Sequence, residues 1–316
     1  MLGAQTQAAA NSKDRAMDRK DAIRALLADF TIETTPPGAA KVADFRQILR
    51  PETSVYITCL PGSDFADTIA TAKRLRAEGF NPVPHLAVRG LPGKAFLDDA
   101  LCRLKDQANI TEVLCIGGDI KAPVGEFTDT MQVLDTGLFD KHGIRRIGVA
   151  GHPEGSPDIP SADAAAALKW KNAFAERTGA ELYIVTQFCF EAGPVIAWDR
   201  AIRAVGIKLP VRIGIPGIAS IKTLLSYAKA CGIGASAGFL TKHARDVTKL
   251  LTTSAPDKLL VDLAAYKAVD PACGIVGCHM YPLGGLKKTA AWTYAVVDAK
   301  FTLTGAGGFQ LTVDIG

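Results

Sequence analysis

The sequence lacks any long hydrophobic run, and this absence and others exclude several classes of protein. No apolar stretch approaches the roughly 20 residues of a membrane-spanning helix, although hydrophobic residues make up 48% of the 316 residues. The seven cysteines are scattered and form no C-x-x-C pair, so reduced thiols in the cytoplasm fit better than a disulfide framework. We therefore expect a cytoplasmic globular protein without a membrane span.

The chain also has no large excess of charge of one sign. The 36 basic and 32 acidic residues leave a net charge of +4, without the dense Lys/Arg stripe that nucleic-acid binding needs. The small excess of cations favours a ligand with phosphate or polyglutamate groups. The N-terminal segment lacks the apolar core of a secretory signal. We expect residues 1–14 to be a flexible tail. Residues 15–316 are then expected to form a single domain that begins with a helix.

Short apolar strands alternate with helical segments along the whole chain. The predicted strands are Phe30–Thr34, Ser54–Cys59, Pro82–Leu86, Val113–Ile116, Ile144–Ala150, Ala180–Phe190, Val211–Ile215 and Gly274–Tyr281. One helix is predicted over Phe127–Lys141, and two extra helices, Thr241–Thr252 and Pro256–Val269, precede the last strand. Because such alternation implies parallel strands joined by helical crossovers, the sequence predicts an α/β fold, a (β/α)8 TIM barrel. An open doubly wound sheet is the alternative, but no G-x-G-x-x-G follows the first strand.

Polar side chains stand at the ends of these strands. In a barrel the carboxyl ends of all strands meet at one face, where active sites of this fold are built. The residues that would gather there are Glu33, His85, Asp119, His152, Gln187, Pro216, Gly217 and His279. Gln187, with Phe188 and Phe190 beside it, would place an amide on an aromatic floor that suits a flat heterocyclic ligand. Two carboxylates, an amide and several histidines around one cavity favour an active site.

Two other chemistries are less well supported by these residues. His85, His152 and His279 come from different strands and could meet, but no H-x-H or H-E-x-x-H pair is present, so we predict no metal site. Glu33 and Asp119 could serve as the acid and base of a glycosidase. The chain lacks the exposed tryptophans that such an enzyme needs to stack sugars.

Six motifs at the strand ends, all in the same order, resemble those of the methylenetetrahydrofolate reductase family. They are, with the family pattern in parentheses, FTIETTPP at 30–37 (F-E-F-F-P-P), PHL at 84–86 (P-H-L), GD at 118–119 (R-G-D), HPE at 152–154 (Y-P-E), TQFCF at 186–190 (T-Q-F-F-F) and PGI at 216–218 (P-G-I). Each motif is short, but six in order at the right strand ends are specific. The resemblance covers about residues 25–300.

The resemblance implies an oxidoreductase of one-carbon metabolism and methionine biosynthesis. In this family FAD carries hydride from NADH or NADPH to 5,10-methylenetetrahydrofolate, which becomes 5-methyltetrahydrofolate. Glu33 would be the acid that opens the folate ring, and Asp119 would lie beside the flavin and the pterin. Gln187, Phe188 and Phe239 would contact the folate and the nicotinamide in turn. The residues at the cofactor would be Thr58, His85, Gly117, Gly118, Ala150, His152 and Lys171.

Three positions depart from the family pattern at the flavin. Gly117 replaces an arginine, His152 a tyrosine and Ser156 a histidine, so we predict that FAD binds less tightly than the pattern implies. A differently bound flavin and direct hydride transfer from nicotinamide to folate stay open. So do a folate-dependent methyl-transfer or demethylation enzyme and a folate-binding relative without catalysis. The choice between NADH and NADPH and the state of oligomerisation, including a homo-oligomer, are not determined by the sequence.

Overall fold

Eight parallel strands close into a barrel in the computed structural model, which describes residues 19–232 and 251–315. The barrel strands are β1 (Thr31–Thr34), β2 (Ser54–Ile57), β3 (Asn81–Ala87), β4 (Glu112–Ile116), β5 (Arg146–Gly151), β6 (Glu181–Phe188), β7 (Val211–Pro216) and β10 (Ile275–Tyr281). Neighbours in sequence pair in order, and the barrel closes where β1 pairs with β10 through Thr31 and His279. The predicted (β/α)8 barrel is therefore confirmed.

Two small antiparallel sheets lie outside the barrel. β8 (Ala219–Ser220) pairs with β9 (Thr253–Ser254), and β11 (Phe301–Leu303) forms a hairpin with β12 (Phe309–Leu311). The hairpin was not predicted from the sequence. Its Phe309 ring stacks on Trp292 at a centroid distance of 5.7 Å, so the hairpin packs against the helix that follows the last barrel strand.

Helices surround the barrel. They are α1 (residues 19–27), α2 (Pro36–Ala39), α3 (Phe65–Ala77), α4 (Lys94–Ala108), α5 (Thr130–Leu134), α6 (Leu138–Lys141), α7 (Ser161–Thr178), α8 (Ala192–Ala204), α9 (Ile221–Ala230), α10 (Asp257–Val269) and α11 (Leu286–Val297). The leading helix is present as α1, whereas the predicted tail over residues 1–14 lies outside the described residues. Of the predicted helix Thr241–Thr252, residues 241–250 also lie outside them. In the described ranges no helix is both long and apolar enough to cross a membrane.

The single helix predicted over Phe127–Lys141 is wrong, because local capping divides this segment. Asp129 begins α5 by accepting hydrogen bonds from the backbone N–H groups of Met131 and Gln132, which fixes a new helix start inside the predicted one. Gly137 then adopts a left-handed conformation with φ of 72°. α5 has already ended at Leu134, and the left-handed Gly137 is the residue before the start of α6.

The interior of the barrel is filled by side chains. Tyr56, Val83, Leu114, Tyr183 and Val185 form a buried cluster inside the strands. The hydroxyls of the two tyrosines lie 2.6 Å apart, and Tyr183 also donates to a Glu112 oxygen at 2.6 Å. Leu114 and Val185 of this cluster also line the cavity at the carboxyl ends of the strands, so the cluster forms the floor of the space for a ligand.

Candidate active site

A cavity of about 2330 Å³ opens at the carboxyl ends of the barrel strands. Each predicted site residue in the described part of the chain lines it: Glu33, Thr58, His85, Gly117, Gly118, Asp119, Ala150, His152, Lys171, Gln187 and Phe188. Phe239 lies outside the described residues. Pro216, Gly217 and His279, which were also expected at the mouth, are buried and are not among its lining residues. The fold thus brings the predicted residues together, and their individual roles stay predictions.

Glu33 lies at the bottom of this cavity, above a buried imidazole. One oxygen of its carboxylate lies 3.5 Å from Nε2 of His279, whose side chain is fully buried, whereas that of Glu33 is 16% exposed. Nδ1 of the same ring lies 2.8 Å from Oγ1 of Thr31. Because Thr31 and Glu33 are two residues apart on β1, their side chains share one face and hold the ring between them. The three groups form a hydrogen-bonded chain from the barrel interior to the cavity.

The sequence analysis placed His279 at the mouth of the barrel and considered it as a metal ligand, but it did not pair this residue with Glu33. The available signal was the spacing of Thr31 and Glu33, which places two polar side chains on the same face of an otherwise apolar strand. Within the described residues, no three or more His, Cys, Asp or Glu side chains lie close enough together to hold a metal ion.

The cavity wall at the carboxyl ends of β2 and β3 carries buried polar groups that lack partners among the described residues, and α7 adds a buried cation to the cavity. Within the described residues, neither ring nitrogen of His85 has a hydrogen-bond partner, although the residue is 4% exposed, and the buried hydroxyl of Thr58 has none either. Lys171 is buried, and burial lowers its pKa. Burial also lowers the pKa of His152, and the charge of Lys171 adds to this effect. Since unpaired buried polar groups cost free energy, this wall is suited to a polar ligand that supplies the partners.

His85 gives the protein a predicted sensitivity to acid. Burial lowers its pKa to about 4, against the opposing charge of Glu33, whereas the unfolded chain has the ordinary value of about 6.5. Between these pH values the unfolded chain binds more protons than the folded protein, so stability is lost as the pH falls through this range. From pH 7 to pH 5 we expect His85 to account for a loss of about 2 kcal/mol in the free energy of unfolding.

Urea unfolding at both pH values tests this prediction in the wild type and in His85→Gln. The variant has no titrating group at this position, so its free energy of unfolding should fall by about 2 kcal/mol less than that of the wild type. An equal fall in the two proteins would show that His85 does not cause the sensitivity.

The carboxyl end of β6 presents an amide and an aromatic cluster. The side-chain oxygen of Gln187 accepts a hydrogen bond from the backbone N–H of Phe188 at 3.1 Å, which leaves the amide NH2 group available to a ligand. The ring of Phe188 contacts those of Phe190 and Tyr281 at centroid distances of 5.6 and 5.3 Å. Tyr281 also lines the cavity and was missed by the sequence analysis, although it ends the last barrel strand.

Asp119 reaches the cavity from the loop after β4. Its side chain is exposed and makes no hydrogen bond or ion pair with another described residue. The preceding Gly118 has φ of 86°, a left-handed conformation that glycine adopts without strain. A side-chain carbon added at Gly117 would meet no atom of a described residue within 4 Å, so those residues leave open space beside this carboxylate.

Comparisons with known proteins agree with the motifs. A family model described as methylenetetrahydrofolate reductase matches residues 30–245. The chain is similar to Methylenetetrahydrofolate reductase 2 of Saccharomyces cerevisiae, with 28% identity over 170 residues that cover 52% of this chain and 27% of the yeast protein. It is also similar to Methylenetetrahydrofolate reductase 1 of Schizosaccharomyces pombe, with 39% identity over 88 residues, or 28% of this chain and 14% of that protein. The matched segments thus span about a quarter or less of the relatives' length.

Proposed function

The chain belongs to the methylenetetrahydrofolate reductase family, and from this premise we propose that it reduces 5,10-methylenetetrahydrofolate to 5-methyltetrahydrofolate with hydride from NADH or NADPH. The reaction would serve one-carbon metabolism and methionine biosynthesis. The observation that carries the proposal is the half-buried Glu33 carboxylate, which contacts His279 at 3.5 Å and faces a cavity shared with Gln187 and Asp119. A carboxyl group held in this way can donate a proton to a bound ligand.

Glu33 has the central role in this proposal. Reduction of the methylene bridge requires the five-membered ring of the folate to open. A proton from Glu33 goes to one ring nitrogen, the bond from that nitrogen to the methylene carbon breaks, and the other nitrogen forms an iminium that can accept hydride. His279 can hold a proton on Nε2 beside the resulting carboxylate and orient it, while Thr31 fixes the other side of the imidazole. Both residues would act through Glu33.

Gln187 and Asp119 would hold the ligand in place. The free NH2 group of Gln187 can donate to a carbonyl or ring nitrogen of a pterin or to the carboxamide of a nicotinamide. Asp119 can accept hydrogen bonds from the amino group and ring N–H of a pterin. Phe188 also lines the cavity, and an aromatic ring packed against a bound flat ring would orient it and exclude water.

Residues at the carboxyl ends of β2 and β3, together with one residue of α7, fit a flavin. Thr58 and His85 offer buried polar atoms that have no partner in the described part of the chain, and the buried Lys171 offers a cation to a pyrophosphate. FAD, when bound, would supply the hydride chemistry between NAD(P)H and folate. Gly117, His152 and Ser156 stand where the family pattern has an arginine, a tyrosine and a histidine, so fewer charged or ring contacts are available to FAD.

The absence of the family's arginine at position 117 gives a direct prediction for FAD binding. Gly117→Arg restores the family's residue at a position with no atom within 4 Å of the added carbon. One charge-assisted contact contributes about 1.5 to 3 kcal/mol, so we expect FAD to bind about ten-fold or more tightly to the variant. Titration of the apoprotein with FAD, followed by flavin fluorescence, measures this change. Gly193→Arg, which places the same charge at an exposed position of α8 that does not line the cavity, is the control, and equal affinity in all three proteins would contradict the prediction.

The proposed function is tested with purified protein, with and without added FAD. We expect an absorption band near 450 nm after FAD is added, and NAD(P)H-dependent formation of 5-methyltetrahydrofolate that rises with FAD occupancy. Full activity without flavin would indicate direct hydride transfer. Turnover that requires a methyl donor, or folate binding without any turnover, would contradict the proposal and favour the methyl-transfer or the non-catalytic alternative.

A further inference from the structure

Strand β6 contains one extra residue at the cavity. Val185 pairs with Arg212 of β7, and the next pair is Phe188 with Gly214. Two residues of β6 therefore lie opposite one residue of β7, which is the geometry of a β-bulge. Side chains of a regular strand alternate between its two faces, but the adjacent Gln187 and Phe188 both line the cavity. The bulge is what places both of them there.

Side chains replace the backbone hydrogen bonds that the bulge interrupts. The N–H of Gly214 donates to the hydroxyl of Thr186 at 2.9 Å, and that hydroxyl donates to the carbonyl of Gln187 at 2.9 Å. The carbonyl of Thr186 accepts instead from the hydroxyl of Tyr281 at 3.0 Å. Tyr281 thus provides the partner for a main-chain carbonyl one residue before Gln187.

The packing around Gly214 leaves little freedom for the bulge on the β7 side. A side-chain carbon at this glycine would lie 2.5 Å from the carbonyl oxygen of Thr186 and 2.8 Å from that of Gln187. On the other side, the ring of Tyr281 contacts Phe188 at 5.3 Å and His279 at 4.9 Å. The bulge is therefore held between the backbone of β7 and the side chain of Tyr281.

We propose that Tyr281 is a positioning residue for Gln187, because its hydroxyl fixes the β6 bulge and so directs the Gln187 amide into the cavity. The identity of the ligand as a folate rests on the proposed function. Tyr281 follows His279 by two residues on β10, and His279 contacts Glu33. The same strand thus sets the position of the amide relative to that of the carboxyl group.

The first test uses ligand-free protein. Tyr281→Phe keeps the ring and removes the hydroxyl, which leaves the Thr186 carbonyl without this partner. We expect amide hydrogen exchange in residues 186–190 and at Gly214 to become about ten-fold faster. This change corresponds to a loss of about 1.4 kcal/mol in the local stability of the bulge. Tyr294→Phe is the matched control, since its hydroxyl accepts from the backbone N–H of Arg50 at 2.9 Å at the opposite end of the barrel. Unchanged exchange in Tyr281→Phe would overturn the proposal.

The second test measures the equilibrium affinity for 5-methyltetrahydrofolate in a double-mutant cycle. Tyr281→Phe should weaken binding about ten-fold in the wild-type background and by less than two-fold in Gln187→Ala, because its effect passes through Gln187. Tyr294→Phe should leave the affinity unchanged. Equal effects in both backgrounds would overturn the positioning role. If the wild type binds no folate, the proposed function fails, and the exchange measurement still decides whether Tyr281 holds the bulge.

Discussion

Glu33→Gln is expected to lower the rate of 5-methyltetrahydrofolate formation by about 10² to 10⁴-fold, the usual contribution of a positioned general acid. Glutamine keeps the size of the side chain and can still bond to His279, but it has no proton to donate to a ring nitrogen. Oxidation of NAD(P)H with menadione as the acceptor needs no protonated folate, so it should stay within a few-fold of the wild-type rate. The ratio of the two activities isolates the proton-dependent step.

Glu112→Gln is the matched control for this substitution. Glu112 is also a partly buried strand carboxylate, but it bonds to Tyr183 at the amino end of the barrel, away from the cavity. Its replacement should leave both rates within a few-fold of wild type. If Glu33→Gln forms 5-methyltetrahydrofolate at a near-normal rate, Glu33 is not the acid.

Asp199→Ala is expected to lower the free energy of unfolding by about 3 to 5 kcal/mol, because it leaves a buried charge without its partner. The Asp199 side chain is fully buried and accepts hydrogen bonds from Arg203 at 3.2 Å, Tyr266 at 2.8 Å and the N–H of Gly274 at 3.2 Å. Arg203 is itself anchored by the carbonyl groups of Ile207 and Leu209. The guanidinium of Arg203 therefore cannot reach solvent without breaking its hydrogen bonds to these two carbonyl groups.

Urea unfolding followed by circular dichroism measures the effect. Asp262→Ala removes an exposed carboxylate that pairs with Lys258 one helical turn away, and we expect a change below about 0.5 kcal/mol there. Asp199 is on α8 and bonds to Gly274 just before β10, away from the carboxyl ends of the strands. Turnover per folded molecule should therefore be unchanged in Asp199→Ala. A loss of stability no larger than that of the control would show that Arg203 relaxes into solvent.

Some contacts at the site join residues that are far apart in the sequence, and the sequence analysis did not find them. His279 and Thr31 are 248 residues apart, and their contact exists only because the barrel closes between its last and first strands. The bulge at Gln187 depends on the register of β6 against β7, which the residue pattern of one strand does not specify. Tyr281 could be placed at a strand end, but its bond to the Thr186 carbonyl follows from that bulge.

By itself the sequence determined the barrel, the family and many of the residues at its mouth. Each of these rests on local patterns: apolar strands alternating with helices, and short motifs at strand ends that a closed parallel barrel must gather on one face. Only the tertiary structure decided which of these groups touch, such as Glu33 with His279, and where a predicted helix is interrupted by its own caps. The physical reason is that strand register and side-chain direction are set by packing between segments distant in the chain, whereas the alternation of strands and helices is already present within each segment.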